Sequence, residues 1–145
     1  MQGLFAPQGR VLALDVGDVR IGVAVSDGTR TIAQPLCVYK RVGYGPDSAY
    51  FVRLAAEQGA ALLVLGLPLN MDATCGFQAE KVKAFGEVLQ KAGLTVAYQD
   101  ERMTTQSAER ALLEGDMRRA DRRQTVDKIA AAVILQQWLD TQAAR

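Results

Sequence analysis

Val11-Leu12-Ala13-Leu14-Asp15-Val16-Gly17 and Ile21-Gly22-Val23-Ala24-Val25-Ser26-Asp27 are joined through Gly17-Asp18-Val19-Arg20. Two apolar runs of strand length, separated by turn-forming residues, predict an antiparallel hairpin. One side chain breaks the pattern. Asp15 is a carboxylate in a strand apolar enough to be buried on at least one face, and an ionised Asp is rarely buried without a partner. A bound cation, a basic side chain such as Arg20, or a backbone turn can fill that role.

Outward from the hairpin, Thr31 to Tyr39 reads as a third strand reached through the Asp27-Gly28 turn. Arg41 to Pro46 reads as a Gly/Pro loop, followed by a helix with Asp47 or Ser48 as its cap. That helix buries Phe51, Leu54 and Ala55 and stops at Gly59. Ala61-Leu62-Leu63-Val64-Leu65-Gly66 is continuously apolar, as expected of a central parallel strand. Residues 66–76 read as loop. Val82, Phe85, Gly86 and Leu89 then recur at helical spacing within 78–91, closed by Gly93. Thr95 to Gln99 is a short strand, Thr104 to Glu114 a helix, Arg118 to Arg123 a basic loop, and Thr125 to Thr141 the final helix. The order predicts one α/β domain. Its mixed five-stranded sheet combines a three-stranded antiparallel meander with parallel strands and is flanked by helices.

The residue inventory removes whole classes of chemistry. The 145 residues contain no histidine, which excludes Ser-His-Asp triads, His-activated cysteines and HExxH zinc sites. Cys37 and Cys75 are too far apart for a CxxC redox pair or a zinc knuckle. A net charge of +1 gives no global attraction to a polyanion, so any such affinity must come from local clusters. No run is apolar enough to span a membrane, and Met1 to Gly9 lacks the basic start and apolar stretch of a signal peptide. Cytoplasmic residence is the expectation.

If this is an enzyme, carboxylates, a hard metal, lysine or backbone groups must carry the reaction. Asp15 lies in the first strand, Glu101 just beyond the last strand in Asp100-Glu101-Arg102, and Asp127 in the first turn of the predicted last helix. Sites in open α/β sheets form outside the carboxyl ends of strands, so Asp15 and Glu101 meet there if their strands are neighbours. Asp127 borders the buried stripe of Ala130, Ala131 and Ile134, and small alanines let that helix lie close to the sheet. Converging carboxylates repel one another, and a divalent ion relieves the repulsion. Hard oxygen ligands point to Mg²⁺ or Mn²⁺, and two such ions about 3.5–4 Å apart can support phosphodiester hydrolysis without histidine. Blander readings exist for each: helix-dipole placement for Asp127, a surface ion pair for Glu101, a salt bridge to Arg20 for Asp15.

Four segments resemble the signatures of the YqgF/RuvX family. They are Asp15-Val16-Gly17 with Arg20-Ile21-Gly22-Val23-Ala24, Gly66 to Asp72, Asp100-Glu101-Arg102-Met103-Thr104-Thr105, and Asp127-Lys128-Ile129-Ala130-Ala131. The resemblance covers essentially the whole chain in the right order. It implies an RNase H-like fold related to RuvC-type Holliday junction resolvases, with Asp15, Glu101 and Asp127 as metal-binding catalytic residues. It further implies a divalent-metal-dependent nuclease, commonly associated with the 5′ end of pre-16S rRNA and in some members with branched DNA. One departure is Ala73, where the family has glycine after the aspartate; a positive φ there would strain alanine.

Groups that can hold a nucleic acid follow. Arg118, Arg119, Arg122 and Arg123 place four cations within six residues against one acid, Asp121. Such a cluster grips phosphate without reading sequence, although many charge runs are only solvated surface. Asn70 follows a central strand with Pro68 stiffening the approach, and Asp72 reads equally as an Asx-turn residue or a metal contact. Thr104 or Thr105 can cap the next helix and touch a phosphate at its N-terminus. Lys128 stands beside Asp127 as a helper near phosphate. Tyr39, Tyr44, Tyr50 and Trp138 form no stacking platform legible in the sequence, and Trp138 reads as core or a dimer contact. A junction resolvase needs paired sites, hence a homodimer. Two other classes compete with the nuclease: an actin-like ATPase, which needs a second lobe, and a non-catalytic nucleic-acid-binding module, in which the acids should be lost.

Overall fold

A computed structural model describes residues 9–70, 72, 74–101 and 119–143, and the side chains of the last segment from Val126 onward. The hairpin forms from β1 (Arg10–Val16) and β2 (Arg20–Ser26), with Leu12 opposite Val25 and Asp15 opposite Gly22. Next come β3 (Ala33–Lys40), α1 (Tyr44–Gln58), β4 (Ala60–Leu67), α2 (Phe77–Lys91), β5 (Val96–Asp100) and α3 (Arg119–Ala143). The expected helix over 104–114 lies outside the described residues. The five strands make one sheet in the order β3-β2-β1-β4-β5, antiparallel across β3-β2-β1 and parallel across β1-β4-β5.

Strand alternation divides the core in two. Leu12, Leu14, Ile21, Val23, Leu63 and Leu65 face α1 and α2, where Phe51, Phe85 and Leu89 complete a large cluster. Val11, Ala13, Ala24 and Val64 face the other way, onto Ala131, Ile134, Leu135 and Leu139 of α3. Residues 11, 13 and 15 share one side of β1, so the period that buries Val11 and Ala13 carries Asp15 to the α3 side. Trp138 packs against this second cluster, as expected of a core residue.

Two helix starts differ from the sequence reading. The last helix begins at Arg119, not near Thr125, so Arg119, Arg122 and Arg123 are helical and not part of a loop. No glycine or proline interrupts 118–127, and Arg, Ala and Gln are good helix formers; charge density alone does not break a helix. The first helix begins at Tyr44 with Gly43 as its cap, and Pro46 falls in the first turn, where a missing N–H costs nothing. Asp47 therefore acts from inside that turn. Its fully buried carboxylate accepts from the N–H groups of Val42 (2.9 Å) and Gly43 (3.3 Å), from the Tyr39 hydroxyl (2.7 Å) and from Arg41 Nε (3.2 Å). Burial by itself would raise its pKa, but the bonds from Val42, Tyr39, Gly43 and Arg41 hold it below the usual carboxylate range.

Candidate active site

Asp15 ends the α3-facing row of β1, and the space on either side of it is made by glycines. Gly22 is its direct partner on β2. A Cβ at Gly22 would stand 2.0 Å from the Asp127 carbonyl oxygen, so only glycine lets the α3 backbone settle there. That approach brings Asp127 alongside Asp15. On the other flank lies β4, not β5: the strands of Asp15 and Glu101 are not neighbours, contrary to the simplest expectation. The gap is bridged because Gly66 of β4 has no side chain. A Cβ at Gly66 would lie 2.7 Å from Glu101 Oε2 and 2.5 Å from Ile134 Cδ1. Glu101 leaves the end of β5 and is anchored by its N–H to the Leu67 carbonyl at 3.1 Å.

The three carboxylates thus border one cavity of about 260 Å³, together with Val16, Gly17, Arg20, Gly66, Pro68 and Gln78. The cavity opens at the carboxyl ends of β1, β4 and β5, where open α/β sheets place their sites. Arg20, the first residue of β2, crosses it. Its Nε donates to Asp127 Oδ2 at 3.0 Å, and both side chains are partly buried. The sequence reading offered Arg20 as a partner for Asp15; the structure pairs it with Asp127. Asp127 itself lies beyond the second turn of α3, too deep for the helix dipole to explain its placement.

The donor set suits a hard cation: carboxylate oxygens, with no thiol or imidazole in the lining. As the side chains stand, no three Asp, Glu or Cys groups among the described residues are arranged around a common ion position. The guanidinium of Arg20 supplies positive charge to Asp127 instead. An ion using all three carboxylates would share or displace that guanidinium.

Other expected contacts fall elsewhere. Asn70 turns back on its own loop, its Nδ2 donating to Thr74 Oγ1 at 3.0 Å and its N–H to the Thr74 carbonyl at 2.9 Å, and it stands outside the lining of the carboxylate cavity. Asp72 Oδ1 accepts from the N–H and hydroxyl of Thr74 at 3.1 and 2.6 Å, the Asx-turn reading. Lys128 is half-buried on α3 beside Asp127. Ala73, Thr104, Thr105 and Arg118 lie outside the described residues, and so do the side chains of Arg119, Arg122 and Arg123. Sequence reasoning missed Gly66, Gly22 and Gln78. The signal for the glycines was available: each interrupts an apolar strand, which marks a close backbone approach.

The family described as "RuvX: Holliday junction resolvase" matches residues 9–141. The chain belongs to the RuvX family. A curated relative from Caldanaerobacter subterraneus subsp. tengcongensis, named "Putative pre-16S rRNA nuclease", is 45% identical over 135 residues, covering 92% of this chain and 97% of that protein. A relative of the same name from Symbiobacterium thermophilum is 47% identical over 137 residues, 94% of this chain and 95% of its own length. Among solved structures, Thermus thermophilus RuvC superposes with a TM-score of 0.58 at 17% identity, covering 93% of this chain and 96% of that one. At that identity the likeness concerns the fold alone, and the fold is the RNase H-like one of the resolvases.

Proposed function

We propose that this chain cuts structured RNA with the help of Mg²⁺ or Mn²⁺, and that its target is the 5′ end of pre-16S rRNA in the cytoplasm. That it is a nuclease, hydrolysing phosphodiester bonds, follows from its family. The observation carrying the metal reading is the shared cavity of Asp15, Glu101 and Asp127, reached from three separate elements. These residues would hold the ion, which when bound offsets phosphate charge and activates water.

The chain's own residues set the stage for that chemistry. Asp15 is fixed by the rigid centre of the sheet, and Glu101 by its backbone bond to Leu67. Arg20 pairs with Asp127 within the cavity lining, and its guanidinium is a fixed positive charge there for an incoming phosphate. Pro68 and Gln78 also line the cavity, where Gln78 can hydrogen-bond a phosphate or sugar oxygen. The RNA target is supported by the names of relatives about 45% identical along nearly their whole length.

A second reading, a Holliday junction resolvase acting as a homodimer, is favoured by the description of the matching family. A substrate panel separates the two: single-stranded RNA, an rRNA precursor and a four-way DNA junction, each with Mg²⁺ or Mn²⁺, beside the Asp15→Asn protein. Cation-dependent cutting of the precursor, abolished in Asp15→Asn with the fold retained, is the expected result. Full activity of a clean Asp15→Asn preparation would overturn the catalytic assignment.

A further inference from the structure

A second cavity, of about 490 Å³, opens on the far side of the β1–β2 turn and is lined by Asp18, Arg41, Val42, Tyr44 and Lys81 among others. It is next door to the carboxylate cavity. Gly17 lines the first and Asp18 the second, and Arg41 Nη1 donates to the Gly17 carbonyl at 2.9 Å. The same step repeats along α2, where Gln78 lines the first cavity and Lys81 the second. A third cavity, lined by Thr29, Thr31 and Trp138, lies at the opposite end of β2.

The rim of this second cavity concentrates exposed apolar surface. Of the six large hydrophobic side chains exposed among the described residues, Val42 and Tyr44 line this cavity, Phe77 meets its Lys81, and Val19 adjoins its Asp18 and Arg41. Phe77 is 77% exposed, and Lys81 Nζ stands 4.4 Å from its ring centroid. The Val19 carbonyl accepts from the Arg41 N–H at 2.9 Å, which ties the turn to the rim. Phe77, exposed at a helix start with a lysine over its face, presents a ring and a cation together beside this cavity.

We propose that this cavity receives a nucleotide of the substrate strand flanking the cut, with its base against Phe77 and Tyr44 and its phosphate at Lys81. The inference rests on the nuclease reading and deepens it by naming where single-stranded substrate leaves the carboxylate cavity. Lys81 is available for exchange. Its present partner, Asp18 Oδ1 at 3.1 Å, is itself 62% exposed, and such exposed pairs are easily replaced by phosphate. Arg41 is not available in the same way: Asp47 and Gly17 hold it, and it stacks over Phe85 at 4.8 Å. It forms the floor. Aromatic rings that accept any base, beside a cation that accepts any phosphate, grip a strand without reading its sequence.

The test measures binding in EDTA, so that probes stay uncut. Fluorescein-labelled RNA and DNA hairpins, blunt or with a tail of about eight nucleotides on the 5′ or 3′ side, are titrated and followed by anisotropy. Wild type is expected to bind one tailed hairpin about tenfold more tightly than the blunt one. Phe77→Ala/Lys81→Ala should lose that gain and keep blunt-hairpin affinity within about twofold, and Lys81→Ala alone should lower the salt slope for the tailed probe by about 0.7. Both side chains are exposed, and an unchanged melting temperature certifies the fold. A wild type indifferent to the tail, a variant that keeps the preference, or equal losses on blunt and tailed probes would each overturn the proposal. A protein that cuts its substrate yet shows any of these overturns this proposal alone; one that binds no hairpin and cuts nothing overturns the nuclease reading with it.

Discussion

Arg20 Nε and Asp127 Oδ2 lie 3.0 Å apart, joining the first residue of β2 to the middle of α3 across the mouth of the carboxylate cavity. The pair adds a fixed positive charge to the site. Three carboxylates around one opening repel, and the guanidinium offsets one of them. It also competes, because a cation seeking Asp127 meets an oxygen already engaged.

Arg20→Gln should therefore tighten Mn²⁺ binding severalfold in calorimetry while slowing cleavage. The stability cost should stay within about 1 kcal/mol, since the pair is partly solvated. Opposite signs for metal affinity and rate are the diagnostic. Weaker Mn²⁺ binding in Arg20→Gln would instead make Arg20 an organiser of the acids.

Gly22→Ala tests the close approach of α3. Its Cβ would press on backbone, the Asp127 carbonyl, so the helix and not a flexible side chain must move. Overpacking of this kind costs about 1–3 kcal/mol, a fall in Tm of roughly 3–10 °C for a domain of this size. Activity should fall further than stability, because the residue displaced is Asp127. Melting curves and cleavage rates measured together check both halves.

The hairpin, the β-α-β alternation and the acidic trio are legible because each is written locally, in period-two apolar runs, glycine stops and isolated carboxylates. Counting from Val11 and Ala13 places Asp15 on the α3 face. What is not legible is non-local. Nothing in the sequence near Asp15 says that β4 inserts between it and the strand leading to Glu101, or that Arg20 finds a partner 107 positions away. The start of α3 is hidden by its arginines, whose charge suggests surface loop, whereas helix propensity without a breaker carries the helix through them. Asp47 looks like a cap and is a buried hub, a difference set by Tyr39 and Arg41 arriving from β3 and the loop after it.

Gly66→Ala should act on the other flank of the site. The added methyl group meets both Glu101 Oε2 and Ile134 Cδ1, so it pushes the acid aside and strains the core at once. Ile134→Val, which relieves the second of these clashes, should recover part of the stability forfeited in Gly66→Ala but little of the activity. Recovery of full cleavage by Ile134→Val would show that Glu101 was never disturbed.

Neutralising Arg118, Arg119, Arg122 and Arg123 to Gln tests the basic segment at the head of α3. Every arginine that neutralises a phosphate adds about 0.9 to the salt slope on duplex and about 0.7 on single strand, so the fourfold variant should flatten the slope of RNA binding by up to about 2.8 on single strand and about 3.6 on duplex. Affinity should drop uniformly across sequences, because groups that hold phosphates do not read bases. An unchanged slope would assign these arginines to solvated helix surface.

Asp47 makes a prediction in pH. Its folded pKa lies below the ordinary carboxylate value, so its contribution to stability is complete at neutral pH. It is lost as pH falls below about 4 and through the depressed folded value, where the unfolded state takes up the proton first. Asp47→Asn removes the charge that Arg41 and the Val42 and Gly43 N–H groups are bound to, and should destabilise by about 2–4 kcal/mol at pH 7. Because Arg41 in turn braces the Gly17 carbonyl, two residues from Asp15, cleavage should slow beyond what unfolding explains. The difference in stability between wild type and Asp47→Asn should shrink as acid is added; a gap that stays constant down to pH of about 3 would mean that Asp47 is not held as a buried carboxylate.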